Sequence, residues 1–248
     1  MPVVFRRSGY FVCFSTRFEL SFELENPIDE LLNRCYPLYV MTSTAPRPLA
    51  SIPVFRAATL RRAVGGGSWQ FDNLVGILAE VSEEVPSGAA SFAAEIIAEA
   101  QAQNEPVAWV TGTESIFFPP DLRSRGVDLS AVAVIRVNGE ADSLLAAEWL
   151  VRSGAMGLVV VDLEVQGNIT DASLGRLLKL AERNLCAVLF LTRKRSHDPS
   201  LGSRISLRGC ITRSGHGPLI IDIRTTKDKR SHSGSRQSRQ YHGPSGMH

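Results

Sequence analysis

The stretch Leu74-Val-Gly-Ile-Leu-Ala-Glu-Val81 runs straight into Ser82-Glu-Glu-Val-Pro-Ser-Gly-Ala-Ala-Ser91, and from Ser91 to Gln103 the pattern changes again. The first segment is a continuous apolar run of strand length, the kind buried on both faces of a parallel sheet. The second carries Pro86 and Gly88 and reads as a turn. The third sets Phe92, Ile96, Ile97 and Ala100 on one face at helical spacing. Strand, turn and helix therefore follow one another here.

The same alternation continues outward. Further strands are predicted at Val107–Thr111, Ala131–Ile135, Gly157–Leu163, Cys186–Thr192 and Leu219–Ile223. Helical patterns lie between them. Glu140–Ser153 carries Leu144, Leu145, Glu148 and Trp149 or Leu150 and stops at Gly154; Asp171–Asn184 carries Leu174, Leu177, Leu178 and Ala181. The expected fold class is α/β, an open, twisted, mostly parallel sheet joined by right-handed crossovers and flanked by helices. Three zones follow from composition. Residues 1–68 read as an irregular N-terminal extension ending in Gly65-Gly-Gly67, 69–225 as the core domain, and 226–248 as a basic flexible tail rich in Ser, Gly and His.

A chain of 248 residues, 44% hydrophobic and 21% charged, can bury one sizeable core. A net charge of +2 excludes a polycation, so affinity for nucleic acid must come from local clusters. Cys13, Cys35, Cys186 and Cys210 are scattered without a C-x-x-C pair, which argues against a disulfide framework or zinc site and for a reducing compartment. His197, His216, His232, His242 and His248 have no partners at metal-ligand spacing, so no metal site is expected. No apolar run approaches the roughly 20 residues of a membrane span. The run Gly9–Phe14 after Arg6 and Arg7 is too short for a secretory signal and lacks a cleavage site. A cytoplasmic location without membrane contact is expected.

Several segments, in order, resemble the RecA-type ATPase core. They are Asn104–Glu114 with Pro119–Asp128, then Gly139–Ala155 leading into Leu158-Val-Val-Val-Asp162, and finally Ala187–Thr192 with Ser203–Arg208. The nearest likeness is to RecA-like accessory proteins of the ImuA kind, which work beside translesion polymerases. That resemblance makes Asp162 the counterpart of an aspartate that orients magnesium and water, and Glu114 the counterpart of a catalytic glutamate. It sets Thr192 near a nucleotide-sensing glutamine. It also places Arg193-Lys194-Arg195 and Arg204 in a DNA-binding loop, with Lys227, Lys229 and Arg230 adding cations beyond it.

The turn at 82–91 departs from a phosphate-binding loop. Such a loop needs glycines, a lysine for the β/γ oxygens and a hydroxyl for magnesium. Here Glu83 stands at the first glycine, Gly88 keeps the second, Ala89 replaces the lysine and Ala90 the Ser/Thr, with Ser91 one position late. Glu83 and Glu84 would repel a triphosphate about 4–5 Å away by about 3–4 kcal/mol at an effective dielectric near 20. No cofactor is therefore expected, and ATP with magnesium enters only if the loop is a divergent active one.

From Arg193 onward the chain holds a dozen Lys and Arg residues against three acids, a clustering that suits sequence-independent contact with the phosphates of single-stranded DNA. The loop carries no aromatic residue for base stacking. The sequence thus leads to a non-hydrolysing RecA-fold accessory protein in DNA repair or damage-induced mutagenesis. Its expected partners are DNA and translesion polymerase or recombinase components, with self-association open. The alternatives are a divergent DNA-dependent ATPase and a SulA-like protein-interaction module.

Overall fold

A computed structural model describes residues 3–7, 10–14, 69–84, 88–112, 122–123, 125–163, 169–214, 219–230 and 234–241. The apolar runs become strands because β-branched and aliphatic side chains alternate between two covered faces. After a hairpin of β1 (Val3–Arg7) and β2 (Tyr10–Phe14), the core strands are β3 (Leu78–Glu83), β4 (Val107–Gly112), β5 (Val132–Val137), β6 (Leu158–Leu163) and β7 (Ala187–Thr192). They continue with β8 (Leu207–Ser214), β9 (Leu219–Asp228) and β10 (Arg236–Tyr241). The helices are α1 (Phe71–Leu74), α2 (Ala89–Ala102), α3 (Gly139–Ser153) and α4 (Asp171–Asn184).

The core sheet has eight strands in the order β10-β9-β8-β3-β7-β6-β4-β5. Every pair from β8 to β5 is parallel, while β9 runs antiparallel to both of its neighbours, β8 and β10. This is the mostly parallel α/β sheet expected from the sequence. Helices α1 and α2 cover one face, burying Phe71, Leu74, Phe92, Ile96 and Ile97 against Val81, Trp109 and Val160. Helices α3 and α4 cover the other, burying Val151, Leu174, Leu177 and Ala181 against Val110, Val161 and Phe190. The chain leaves β3 toward β4, returns through β6 and β7, and only then passes over to β8 on the far side of β3. The carboxyl end of β3 is thus a topological switch point, where open α/β sheets bind ligands.

Several expectations need correction. The apolar run from Leu74 is split: Phe71–Leu74 is helical, and the strand starts only at Leu78. Strand β8 was hidden by Arg208 and Gly209, which break the apolar pattern. Gly209 is required because Trp69 Cζ2 lies 2.6 Å and Ile223 Cδ1 2.8 Å from where a Cβ would stand. The zone read as a flexible tail from 226 contains the end of β9 and all of β10. Its polar sequence folds because it borrows its partners from the core. Arg239 pairs with Glu95, donates to the Trp69 carbonyl at 2.7 Å and lies 4.9 Å over the Phe92 ring. Glu114, most of the 1–68 extension and residues 242–248 lie outside the described residues.

This clamp predicts the outcome of a mutation. Arg239→Ala is expected to lower stability by about 2 kcal/mol, since it removes half-buried charged hydrogen bonds. Arg236, whose side chain stays 66% exposed beside Asp222, is worth less than about 1 kcal/mol. Urea midpoints at unchanged slope measure both.

Candidate functional site

Strand β3 alternates. Ala79 and Val81 point into the α1/α2 layer and Leu78 into the α3/α4 layer, so Glu83 emerges on the α2 side while Glu80 and Ser82 face the opposite one. The strand therefore sends one carboxylate to each face of the sheet.

On the α2 face, Glu83 folds over the start of the helix. Its Oε2 accepts from the backbone N–H of Gly88 and of Ala89, both at 3.0 Å. The first N–H groups of a helix have no intrahelical acceptor and attract anions. In this chain a side chain of the preceding strand supplies that anion. Gly88 has φ +136°, and Ile221 Cδ1 of β9 lies 2.2 Å from an ideal Cβ there, so only glycine fits. Ala89 and Ala90 bring no ammonium or hydroxyl, and Ser91 lies half-buried in the first turn of α2. This donor set does not match what a magnesium-bound triphosphate requires.

Asp162 stands on the same face, at the end of β6. Thr111 of β4 donates to its Oδ2 at 3.3 Å. With β7 between β6 and β3, Asp162 is two strand spacings from β3, roughly 10 Å. The structure thus gathers Asp162, Glu83, Gly88 and Ala89 at one end of the sheet.

The other face holds a feature that sequence reasoning missed. Glu80 is fully buried and serves as the hub of a polar cluster beneath the segment 193–206, which crosses from β7 to β8. It accepts from the Thr192 hydroxyl at 3.1 Å and from the Leu201 N–H at 2.8 Å. Lys194 Nζ lies 3.3 Å and Arg208 Nε 3.8 Å from its Oε1. Arg208 also reaches Ser82 Oγ at 3.3 Å and the Arg195 carbonyl at 3.0 Å, and it bonds the Asp198 carbonyl. Lys194 donates to the Pro199 carbonyl at 3.3 Å. A lone glutamate inside an apolar strand, and an arginine opening another, were the available signals, because a buried charge requires a partner. Thr192, read as near a nucleotide sensor, has its hydroxyl turned into this cluster.

The basic residues consequently divide. Lys194 is only 7% exposed and belongs to the core, which corrects its reading as a DNA contact. Lys227 is half-buried, donating to Ser200 Oγ and the Gly202 carbonyl, both at 3.2 Å; burial, then the neighbouring Lys229 charge, holds its ammonium below the usual value. Arg193, Arg195, Arg204, Lys229 and Arg230 are exposed. Arg195 pairs with Glu84 at 3.2 Å, Lys229 bonds the Ser203 carbonyl, and Arg230 donates to the Asn73 carbonyl at 2.7 Å. The turn at 203 is fastened to α4 by Asp171, which accepts from Ser203 Oγ at 2.6 Å and Ser203 N at 3.1 Å. These two bonds, the hydroxyl first, hold its carboxyl below the usual range. Burial pushes the Cys186 thiol up to about 12 and that of Cys210 upward, so neither is a thiolate at neutral pH. Among the described residues no group of three His, Cys, Asp or Glu side chains converges on a metal position.

Over 146 residues the chain is 31% identical to Protein RecA of Chlorobium chlorochromatii, covering 52% of this chain and 41% of that protein. It is 33% identical over 139 residues to Protein RecA of Clostridium tetani, covering 48% and 39% respectively. For Protein RecA of Fusobacterium nucleatum the figures are 30% over 118 residues, 44% and 31%. The chain thus spans less than half the length of these relatives. No family model matches it. The partial matches support a RecA-like family and agree with the eight-stranded sheet.

The buried cluster predicts that Glu80→Ala costs about 3–5 kcal/mol, because Lys194 and Arg208 are then buried without their carboxylate. Glu80→Gln, which keeps the shape and one acceptor oxygen, should cost less. Denaturant titration reads the loss, and hydrogen exchange at the Leu201 amide reads release of the crossing segment.

Proposed function

We propose that this chain is a RecA-fold accessory protein of DNA repair or recombination that neither binds nor hydrolyses ATP. The observation that carries the reading is the Glu83 carboxylate on the Gly88 and Ala89 N–H groups. Those donors are what a phosphate would need, and the carboxylate both occupies them and repels the phosphate. Displacing it would strip two charge-assisted hydrogen bonds from a helix terminus with no lysine at Ala89 to compensate. The partial likeness to RecA proteins supports work on recombination or repair intermediates. The ImuA-like reading supports a setting in damage-induced mutagenesis, beside translesion polymerase or recombinase components in the cytoplasm.

DNA contact falls to the exposed cations Arg193, Arg195, Arg204, Lys229 and Arg230 rather than to Lys194. If all five neutralise phosphates of a single strand, the logarithm of affinity falls with the logarithm of salt at a slope of up to about −3.5. Base stacking contributes nothing from this surface, so affinity should be independent of sequence.

Titration of a fluorescent ATP analogue, and separately of labelled single-stranded DNA at two salt concentrations, tests the reading. No saturable nucleotide binding is expected, together with salt-sensitive DNA binding whose slope shrinks by about 0.7 in Arg204→Ala. Tight nucleotide binding with DNA-stimulated phosphate release, lost in Asp162→Ala, would establish a working ATPase instead.

A further inference from the structure

The strand β10 ends the sheet. It pairs with β9 along Arg236–Tyr241, and among the described residues no strand lies on its other side. An open edge presents a row of main-chain N–H and C=O groups that can pair with another chain, and natural sheets block such edges with lysines, prolines or bulges. Strand β10 has no Lys or Pro. Its two arginines are turned away from the edge. Arg239 is drawn to Glu95 and the Trp69 carbonyl on the α2 face. Arg236 leans back over β9 to Asp222, at 2.8 Å.

A second observation gives this edge a preference in charge. Arg236 stands directly opposite Arg224 of β9, so both side chains lie on the face away from α2. Like charges directly opposite one another weaken a strand pair. Asp222, two residues from Arg224 on the same face of β9 and opposite Ser238, bonds both Arg236 and Ser238. Arg224 is exposed, and no side-chain hydrogen bond or ion pair holds it among the described residues. Arg236 and Ser238 thus engage the Asp222 carboxylate, and Arg224 stands as an unpaired cation beside a main-chain edge that is open among the described residues.

We propose that the free edge of β10 docks an extended acidic segment of a partner protein, which adds as a further strand and offers a carboxylate that Arg236 turns to meet, leaving Asp222 beside Arg224. In a paired strand alternate side chains fall on one face, and those opposite Arg236 stand about 5 Å from it. Glutamates at every second position thus come beside Arg236, with valine or threonine between them suiting the strand. A polypeptide fits this site better than a nucleic acid. Phosphates can answer the guanidinium groups, but only a polypeptide backbone can answer the alternating N–H and C=O groups of the edge. The site supplies the partner contact of the proposed function and rests on that reading only for the existence of a partner protein.

The test uses the full chain and a labelled, end-capped synthetic peptide of alternating valine and glutamate, followed by fluorescence anisotropy. Controls are the valine–lysine counterpart and a single-stranded oligothymidylate. Binding of the acidic peptide alone among the peptides is expected, with slowed amide exchange along β10. Affinity should fall at least tenfold in the double variant Arg224→Glu/Arg236→Glu. The milder Arg224→Gln/Arg236→Gln pair, in which Asp222 keeps Ser238, guards against misfolding and should show an intermediate loss. No acidic-peptide binding, equal binding by the double variants, or unchanged exchange in β10 would overturn the proposal. So would concentration-dependent dimerisation through this edge without peptide binding. DNA binding that disappears in these variants while the peptide never binds would assign the pair to nucleic acid. ATP titration of the same samples reads the nucleotide-free function independently.

Discussion

Two glutamates three residues apart on one strand, Glu80 and Glu83, determine what each face of the sheet can do. The alternation of β3 sends them to opposite sides, and each meets a group that would otherwise call for an external anion. Glu83 meets the free N–H groups at the start of α2. Glu80 meets Lys194 and Arg208 beneath the segment that joins β7 to β8. Both positions lie beside the strand at which the topology reverses, where α/β sheets place ligands. The chain thus satisfies from within both the helix terminus of α2 and the buried cations Lys194 and Arg208.

The two contacts differ in consequence. The Glu80 cluster is buried, and removing its carboxylate would leave two cations in the core, so it acts mainly on stability and on fixing residues 193–206. The Glu83 contact lies at the rim and acts mainly on what can bind there. Between them, the antiparallel strands β8, β9 and β10 extend the sheet beyond the parallel core and bring Ile221 against Gly88 and Arg239 against Glu95. That extension braces the start of α2, so the helix terminus that Glu83 meets depends on residues more than a hundred positions away in the chain.

The parallel sheet and its three long helices were legible in the sequence, because aliphatic runs of strand length alternate with three-to-four spacing. Asp171–Asn184 matches its helix at both ends. Gly88, Ala89 and Asp162 could also be placed, since the turn and the strand end fix their positions. The partners of the charged residues were not legible. Arg193, Lys194 and Arg195 read as one basic cluster, yet β7 ends at Thr192 and the middle residue turns into the core. Likewise Arg236–Tyr241 reads as disordered by composition and becomes a strand only because β9 offers it an edge. Such outcomes depend on contacts across the fold, which local pattern does not carry.

The most direct test of the central claim reads the Gly88 and Ala89 amides by nuclear magnetic resonance during titration with inorganic phosphate. If the Glu83 carboxylate holds these N–H groups, their resonances stay fixed in the native protein at millimolar phosphate. In Glu83→Gln they should move at the outset and then shift saturably as phosphate binds. Native amides that follow phosphate as strongly as those of the variant would contradict the account, because the helix terminus would then be open.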